Sequence, residues 1–395
     1  MKTILLLVGF ILLFTAEVLR IYFIMPFPGS QTSSSVSFAY WLTNNIFWLR
    51  FIGFILLMIP LRNIFLSGSN RSRLLAVTFL ILYSIVFYFF NFKFQADKMF
   101  SAPRNKILSG ANNNKVDLNK LVIGISINGD QKCYPIEIIG FHHQVMDTVG
   151  SMPVMVTYCT VCRTGRIFSP LVNNKMEKFR LVGMDHFNAM FEDETTKSWW
   201  QQATGKCIAG PLNGSMLKEL PSVQMSLQNW LLKYPNTQIL QPDTVFKKQY
   251  KDLAGYDKGT IKSGLEKRDS ASWKSKSWVV GVTENFNSKA YDWNELVKKQ
   301  MIQDTLSTLP IMLTLEGDSV SFHVFSRISK IGVLKFSKIE NQRMLIDDNT
   351  HSIWTFDGFC KEGSLKGTQL DIVQSYQEFW HSWLNFHPNT SRYNL

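Results

Sequence analysis

Charge is what the first 91 residues of this 395-residue chain lack. Only Lys2, Glu17, Arg20, Arg50, Arg62, Arg71 and Arg73 interrupt an otherwise uncharged stretch, whereas the remainder has ordinary globular composition. That poverty excludes a water-exposed domain at the front. No small-residue A-x-A cleavage site follows the first apolar run, which continues past Arg20, and this argues against a cleaved signal peptide. The G-x-S-x-G elbow, the phosphate-binding loop and the H-E-x-x-H helix are also missing, and with them three common enzyme classes lose support.

What is there instead is three apolar segments, at about residues 4–26, 41–60 and 74–92. Each runs roughly 19–23 residues, which is what about 30 Å of hydrocarbon asks of a helix. The connection after the second segment carries Arg62, Arg71 and Arg73, and the one after the first, PGSQTSSSVSF, carries no charge. The positive-inside rule then predicts a cytoplasmic N-terminus and arginine loop, with everything beyond about Phe94 on the outer side. Glu17, Arg20 and Arg50 fall inside the spans, where an ionisable group needs a partner. A Glu17–Arg50 or Glu17–Arg20 pair locking the helices is expected ahead of a transport role. The net charge of +12 reads as attraction to membrane lipid and envelope polymers, not to nucleic acid. Many of the lysines lie between Lys247 and Lys276, which reads as a solvated linker.

The outer region reads as one α+β unit of about 120–130 residues present twice. TKSWWQQATGKCIAGPLNGSMLKEL, from Thr196, matches THSIWTFDGFCKEGSLKGTQLDIV, from Thr350. Gly205, Cys207, Gly210, Gly214 and Leu217 recur 153 positions later as Gly358, Cys360, Gly363, Gly367 and Leu370. Trp230 and Thr237 recur at the same offset as Trp383 and Thr390. Upstream the offset is 157, pairing Gly124 with Gly281, Tyr134 with Tyr291, Asp147 with Asp304 and Pro153 with Pro310. Each unit reads as a β-branched strand (121–127 in the first), a turn, an apolar-periodic helix over about 136–149, and the strand PVMVTY. Short strands and a helix near LQNWLLKYP follow.

The repetition sorts the residues. Asp147, Asp193, Ser198, Trp200 and Cys207 have counterparts in Asp304, Asp347, Ser352, Trp354 and Cys360, so caps, turns and core are their expected roles. Cys207 and Cys360 read as small buried thiols. Cys159, Cys162 and His142 meet Glu316, Ser319 and Lys299 instead, and are free to serve a site.

The cysteines sit in TYCTVCRTG. No helical period follows, which disfavours the thioredoxin arrangement of a C-x-x-C at a helix N-terminus, and no histidine follows the second cysteine, as covalent haem attachment would require. Three readings stay open. Two thiolates make half of a metal site, for which His142, with His143 and His186 as additional ligands, supplies the rest; the metal would be zinc- or copper-like. The pair is otherwise a reversible redox disulfide, or a structural one.

CYPIEIIGFHHQVMDTVGSMPVMVTYCTVCRTGRIF gives Tyr-Pro, a helix with a histidine, an Asp-Thr-Val-Gly turn and a strand ending in Tyr-Cys-x-x-Cys. This resembles the signature of the bacterial domain-of-unknown-function family 3179, and LVGMDHFNAMFEDETTKSWWQQATGKCIAG resembles its downstream segment. The resemblance covers about residues 94–240, and the second copy more faintly. It puts the family's motif on Tyr134, Pro135, His142, Asp147, Cys159 and Cys162. Thr160 stands where proline is common, and Arg163 where glycine is common. No activity follows from membership, and whether the protein is an enzyme stays open.

The expected architecture is α+β behind a three-helix transmembrane anchor. Residues 1–93 form the anchor, 94–245 the first repeat, 246–277 a Lys-rich linker and 278–395 a second, degenerate repeat. The expected protein sits in a bacterial inner membrane with its C-terminal domain outside the cytoplasm. Its Cys159/Cys162/His142 site would serve soft-metal binding or thiol redox. The alternative is a structural or assembly protein of the cell envelope, in contact with envelope proteins, whose cysteines only stabilise the fold.

Overall fold

The computed structural model describes residues 1–32, 35–340 and 342–394. Ser33 and Ser34 of the uncharged connection, Asn341 and the terminal Leu395 lie outside the described residues. The chain forms two compact units, one of Met1–Ser101 with Glu177–Met216, the other of Ala102–Met176 with Leu217 onward.

In the first unit three helices, α1 (Lys2–Tyr22), α2 (Val36–Ser67) and α3 (Asn70–Phe92), are long and apolar enough to cross a membrane. Pro60, read as the end of the second span, lies inside α2, which continues to Ser67. Apolar helices tolerate proline because neighbouring groups re-satisfy the freed carbonyl. α1 and α2 pack through two glycines. A Cβ on Gly9 would come 2.7 Å from Leu57, and one on Gly53 would come 2.6 Å from Leu13. Glu17, fully buried, takes Arg50 Nε at 2.6 Å and Arg50 Nη2 at 3.0 Å. Arg20, Tyr83 and Asn91 also donate to it, so its carboxylate ties all three helices together. The expected Glu17–Arg50 lock is thus observed, with Asn91 and Tyr83 as members that hydropathy did not single out. A four-stranded antiparallel sheet completes this unit, in the order Cys207–Ala209, Trp199–Gln201, Asn188–Asp193, Phe179–Asp185.

The second unit holds several hydrophobic clusters, and two of them are its larger cores. One gathers Ile123, Tyr134, Ile139, Val154, Val156 and Ile167; the other gathers Val280, Tyr291, Leu296, Ile311, Leu313 and Val324. The element order around each is the same. Leu121–Ile127, Asp130–Pro135, the helix Ile136–His142, Gln144–Val149, Met152–Cys159 and Thr164–Phe168 surround the first. Trp278–Glu284, Asn287–Asp292, the helix Trp293–Lys299, Met301–Leu306, Leu309–Leu315 and Phe322–Ser326 surround the second. Specific contacts recur as well. Tyr134 donates to Asp147 at 2.8 Å and Tyr291 to Asp304 at 2.9 Å. Trp230 donates to Thr237 at 2.9 Å and Trp383 to Thr390 at 2.8 Å.

Two expectations need correction. The helix expected over 136–149 ends at His142, because His143 is left-handed (φ 59°), and Gln144–Val149 is a strand. Val145 and Val149 fall on one face of a strand as readily as of a helix, so the apolar spacing misled. The lysine-rich 246–277 segment is packed, not solvated. Phe246, Tyr250, Tyr256 and Ile261 are buried against the first core, and the lysines other than Lys276 are exposed. Long charged side chains beside buried aromatics hide such packing from composition.

Candidate functional site

Met152–Cys159 and Thr164–Phe168 are antiparallel neighbours, with Cys159 opposite Thr164. The intervening turn closes with Arg163 N–H donating to Thr160 C=O at 3.3 Å, and Arg163 takes φ 57°. That is a conformation glycine adopts without strain. Arg163 holds it through its side chain: the guanidinium lies 3.7 Å over the Trp278 ring and donates to Gln377 at 2.8 Å. Thr160 is held by Glu266, and its carbonyl accepts from the Tyr256 hydroxyl at 2.9 Å.

The turn brings Cys159 and Cys162 together as two fully buried thiols. Cys162 is hydrogen-bonded to Cys159 and to Ser382. Burial pushes the Cys162 thiol well above its ordinary pKa, and the neighbouring Cys159 adds to the rise. Ser382 Oγ donates to Glu378 Oε2 at 3.0 Å. The other oxygen of Glu378 accepts from Thr164 at 2.6 Å and Arg166 at 2.8 Å. Burial raises the Glu378 pKa even beside that guanidinium. An unbroken chain therefore runs from Cys162 through Ser382 to a buried carboxylate.

The backbone of the turn is completed by the C-terminal part of the chain. Phe379 N–H donates to Cys162 C=O at 3.0 Å. Val161 C=O accepts from Lys276 Nζ at 2.8 Å, and His381 Nε2 lies 3.1 Å from that ammonium. Burial lowers the Lys276 pKa, with both thiols acting in the opposite sense. Burial, then the Lys276 charge, pulls His381 down to about 4.

The expected histidines are otherwise engaged. His142 Nε2 pairs with the Tyr250 hydroxyl at 2.7 Å between Phe141 and Phe246. His143 Nδ1–H donates to Tyr158 C=O at 2.9 Å, and burial holds its pKa down at about 4. His186, in the first unit, pairs with Asp185 at 2.6 Å. Among the described residues no group of three or more His, Cys, Asp or Glu side chains is arranged to hold a metal ion. The residues assigned to structure make structural contacts. Asp193 accepts from Trp200 Nε1 and Asp347 from Trp354 Nε1, each at 2.9 Å. Cys207 and Cys360 donate to the carbonyls of Ala209 and Glu362.

Sequence reasoning missed Lys276, Glu378, His381 and Ser382. A signal for three of them was present. At the offset of 153, Glu378, His381 and Ser382 meet Met225, Gln228 and Asn229. They are as exclusive to one half as the cysteines are to the other, but only the cysteine-bearing half was searched for exclusive residues.

No curated protein and no solved structure matches the chain. A family model does match, over residues 103–390, which takes in both cores, the thiol pair and the C-terminal residues packed against it. By that match the chain belongs to the family described as Protein of unknown function (DUF3179).

Proposed function

We propose that this is a membrane-anchored thiol redox protein whose Cys159–Cys162 pair cycles between dithiol and disulfide outside the cytoplasm. The observation that carries this reading is the direct hydrogen bond between the two buried thiols at the head of the Ser382–Glu378 chain. On oxidation a bond forms between the two Sγ atoms, two protons leave, and two electrons pass to a disulfide-class acceptor, which becomes two thiols. Glu378, reached through Ser382, takes up the proton from Cys162. The raised Cys162 pKa means that this thiol rests protonated and is not a preformed nucleophile.

Three further elements belong to the proposal. α1, α2 and α3 anchor the chain in the lipid of a bacterial inner membrane, with the Arg62, Arg71 and Arg73 loop cytoplasmic. The segments around the two cores are copies of one unit, as their matching Tyr–Asp and Trp–Thr pairs suggest. Envelope proteins, not nucleic acid, are the expected partners.

Thiol counting on the full chain, unfolded after mild disulfide treatment, tests the redox reading, together with elemental analysis of the untreated protein. The expected loss is two thiols, restored by reductant, with no stoichiometric metal. Stoichiometric zinc or copper would instead favour a soft-metal site. An unchanged thiol count would leave the cysteines a purely structural pair.

A further inference from the structure

The hairpin turn of the second core opens onto a cleft of about 480 Å³. Its floor is Glu316 and His323, with His323 Nε2 2.6 Å from Glu316 Oε1. The His323 side chain is almost wholly buried, whereas that of Glu316 is about one-fifth exposed. Glu316 is the residue that stands at the position of Cys159 in the repeat alignment.

Three cations line the same cleft: Lys233, Arg343 and Lys361. None of them has an ion-pair partner among the described residues. Elsewhere in this unit Arg166, Lys132 and Lys289 do have one. Of the two carboxylates in the cleft, Glu316 is held by His323 and Asp357 accepts from the Thr355 hydroxyl. Arg343 lies over the Gly317 backbone, where a Cβ would come 2.2 Å from its Nη1. Met225, Leu232, Leu315 and Phe356 form an apolar stretch of the remaining wall, and Asn229, Gln300 and Thr355 complete it.

Uncompensated cations beside an apolar wall, in a concave site of this size, match an anion that carries an apolar body. Arg343 supplies the fork that recognises a carboxylate or phosphate with two hydrogen bonds, and the two lysines supply point charge. We propose that this cleft binds a small organic anion, with its charged head at Lys233, Arg343 and Lys361 and its apolar part against Leu315 and Phe356. The Glu316–His323 pair closes the floor.

Calorimetric titration of the detergent-purified full chain tests this with three probes: benzoate, phenyl phosphate and dihexanoyl phosphatidate. The first two stand for soluble carboxylates and phosphate esters, the third for a lipid headgroup. Binding of at least one probe with a stoichiometry near one is expected. It should weaken at least tenfold in Arg343→Ala combined with Lys361→Ala, and fall with added salt. Lys330→Ala, an exposed lysine outside the cleft, should bind as the parent does. Absence of binding by all three probes, or binding that Arg343→Ala/Lys361→Ala leaves intact, would overturn the proposal.

Discussion

Two hairpin turns occupy the same place in the two cores, and their chemistry is opposite. Tyr158 pairs with Gly165 across one turn, and Leu315 pairs with Phe322 across the other. The first closes over two buried thiols, beside Phe379 and Arg163. The second leaves a carboxylate and an imidazole at the bottom of an open, cation-lined cleft. Gly165 and Phe322 make much of the difference. A Cβ at Gly165 would sit 2.8 Å from Ile123 and 3.1 Å from Tyr158, so the first turn has no room for more than glycine. What the pair of turns teaches is that the same strand pairing can carry different residues at its turn once the packing around it differs. The surrounding segments decide whether a turn becomes a sealed pair or a pocket.

The largest expected effect comes from the charge beside each turn. Arg166 and His323 occupy the same strand position, and each faces a glutamate. Arg166→Leu leaves Glu378 buried and unpaired and should cost about 3–5 kcal/mol. His323→Leu lets the partly exposed Glu316 rehydrate and should cost about 1–2 kcal/mol. Equal losses of stability in denaturant melts would erase the contrast between sealed and open turns.

Acid sensitivity is the next largest. His143 and Gln300 are both left-handed helix caps, at φ 59° and 61°. The folded pKa of His143, about 4, is depressed below its ordinary value of 6.5. Its contribution is therefore full above pH 6.5 and is lost as pH falls from 6.5 through 4, on the order of 2–3 kcal/mol. His143→Gln copies the other half and should flatten the stability profile over that window. A profile as steep as the parent's would assign the acid response to His381 or His387, which burial also holds at about 4.

Gly124→Ala and Gly281→Ala should behave alike. In each, the new Cβ would come within 2.2 Å of a tryptophan ring, Trp230 or Trp383. Overpacking of this kind costs about 1–3 kcal/mol. Melting temperatures that drop for one variant and hold for the other would count against two copies of one unit. Smallest is the stability effect of Cys159→Ser, about 1 kcal/mol for burying a hydroxyl in place of a thiol. The same variant should abolish the two-thiol loss on oxidation. A collapse of the fold would instead mark the cysteines as structural.

The fold was legible where one residue type has one cause. Uncharged runs gave the three helices, and Gly124 and Gly281, each facing a tryptophan, sit at matching places in the two cores. Glu17 and Arg50 announced their pairing because an apolar helix bundle offers a charge few other partners. The site was legible only at its sulfur atoms. Its other members come from more than 100 residues away and are ordinary residues in sequence; nothing about Lys276 or Ser382 announces that it approaches a thiol. His142 misled for the converse reason. Its absence from the second half marked it as special, and the structure gives that distinction to a Tyr250 hydroxyl. Tyr250 lies in the segment that lysine content had made look like solvent-exposed chain.

Because Phe379, His381 and Ser382 close the turn around Cys159 and Cys162, the thiols have a history that depends on the order of synthesis. Some 220 residues separate Cys162 from Ser382, which is roughly 10–45 s of translation at ordinary rates. Throughout that interval the two sulfurs are made but not yet covered. Whatever first meets them, whether an oxidant or a reductant, meets them on an unfinished chain, and arrival of the last strand and helix makes later exchange slower. The pair thus reacts fastest before closure, and a shortened chain ending before Phe379 would keep it at that faster rate.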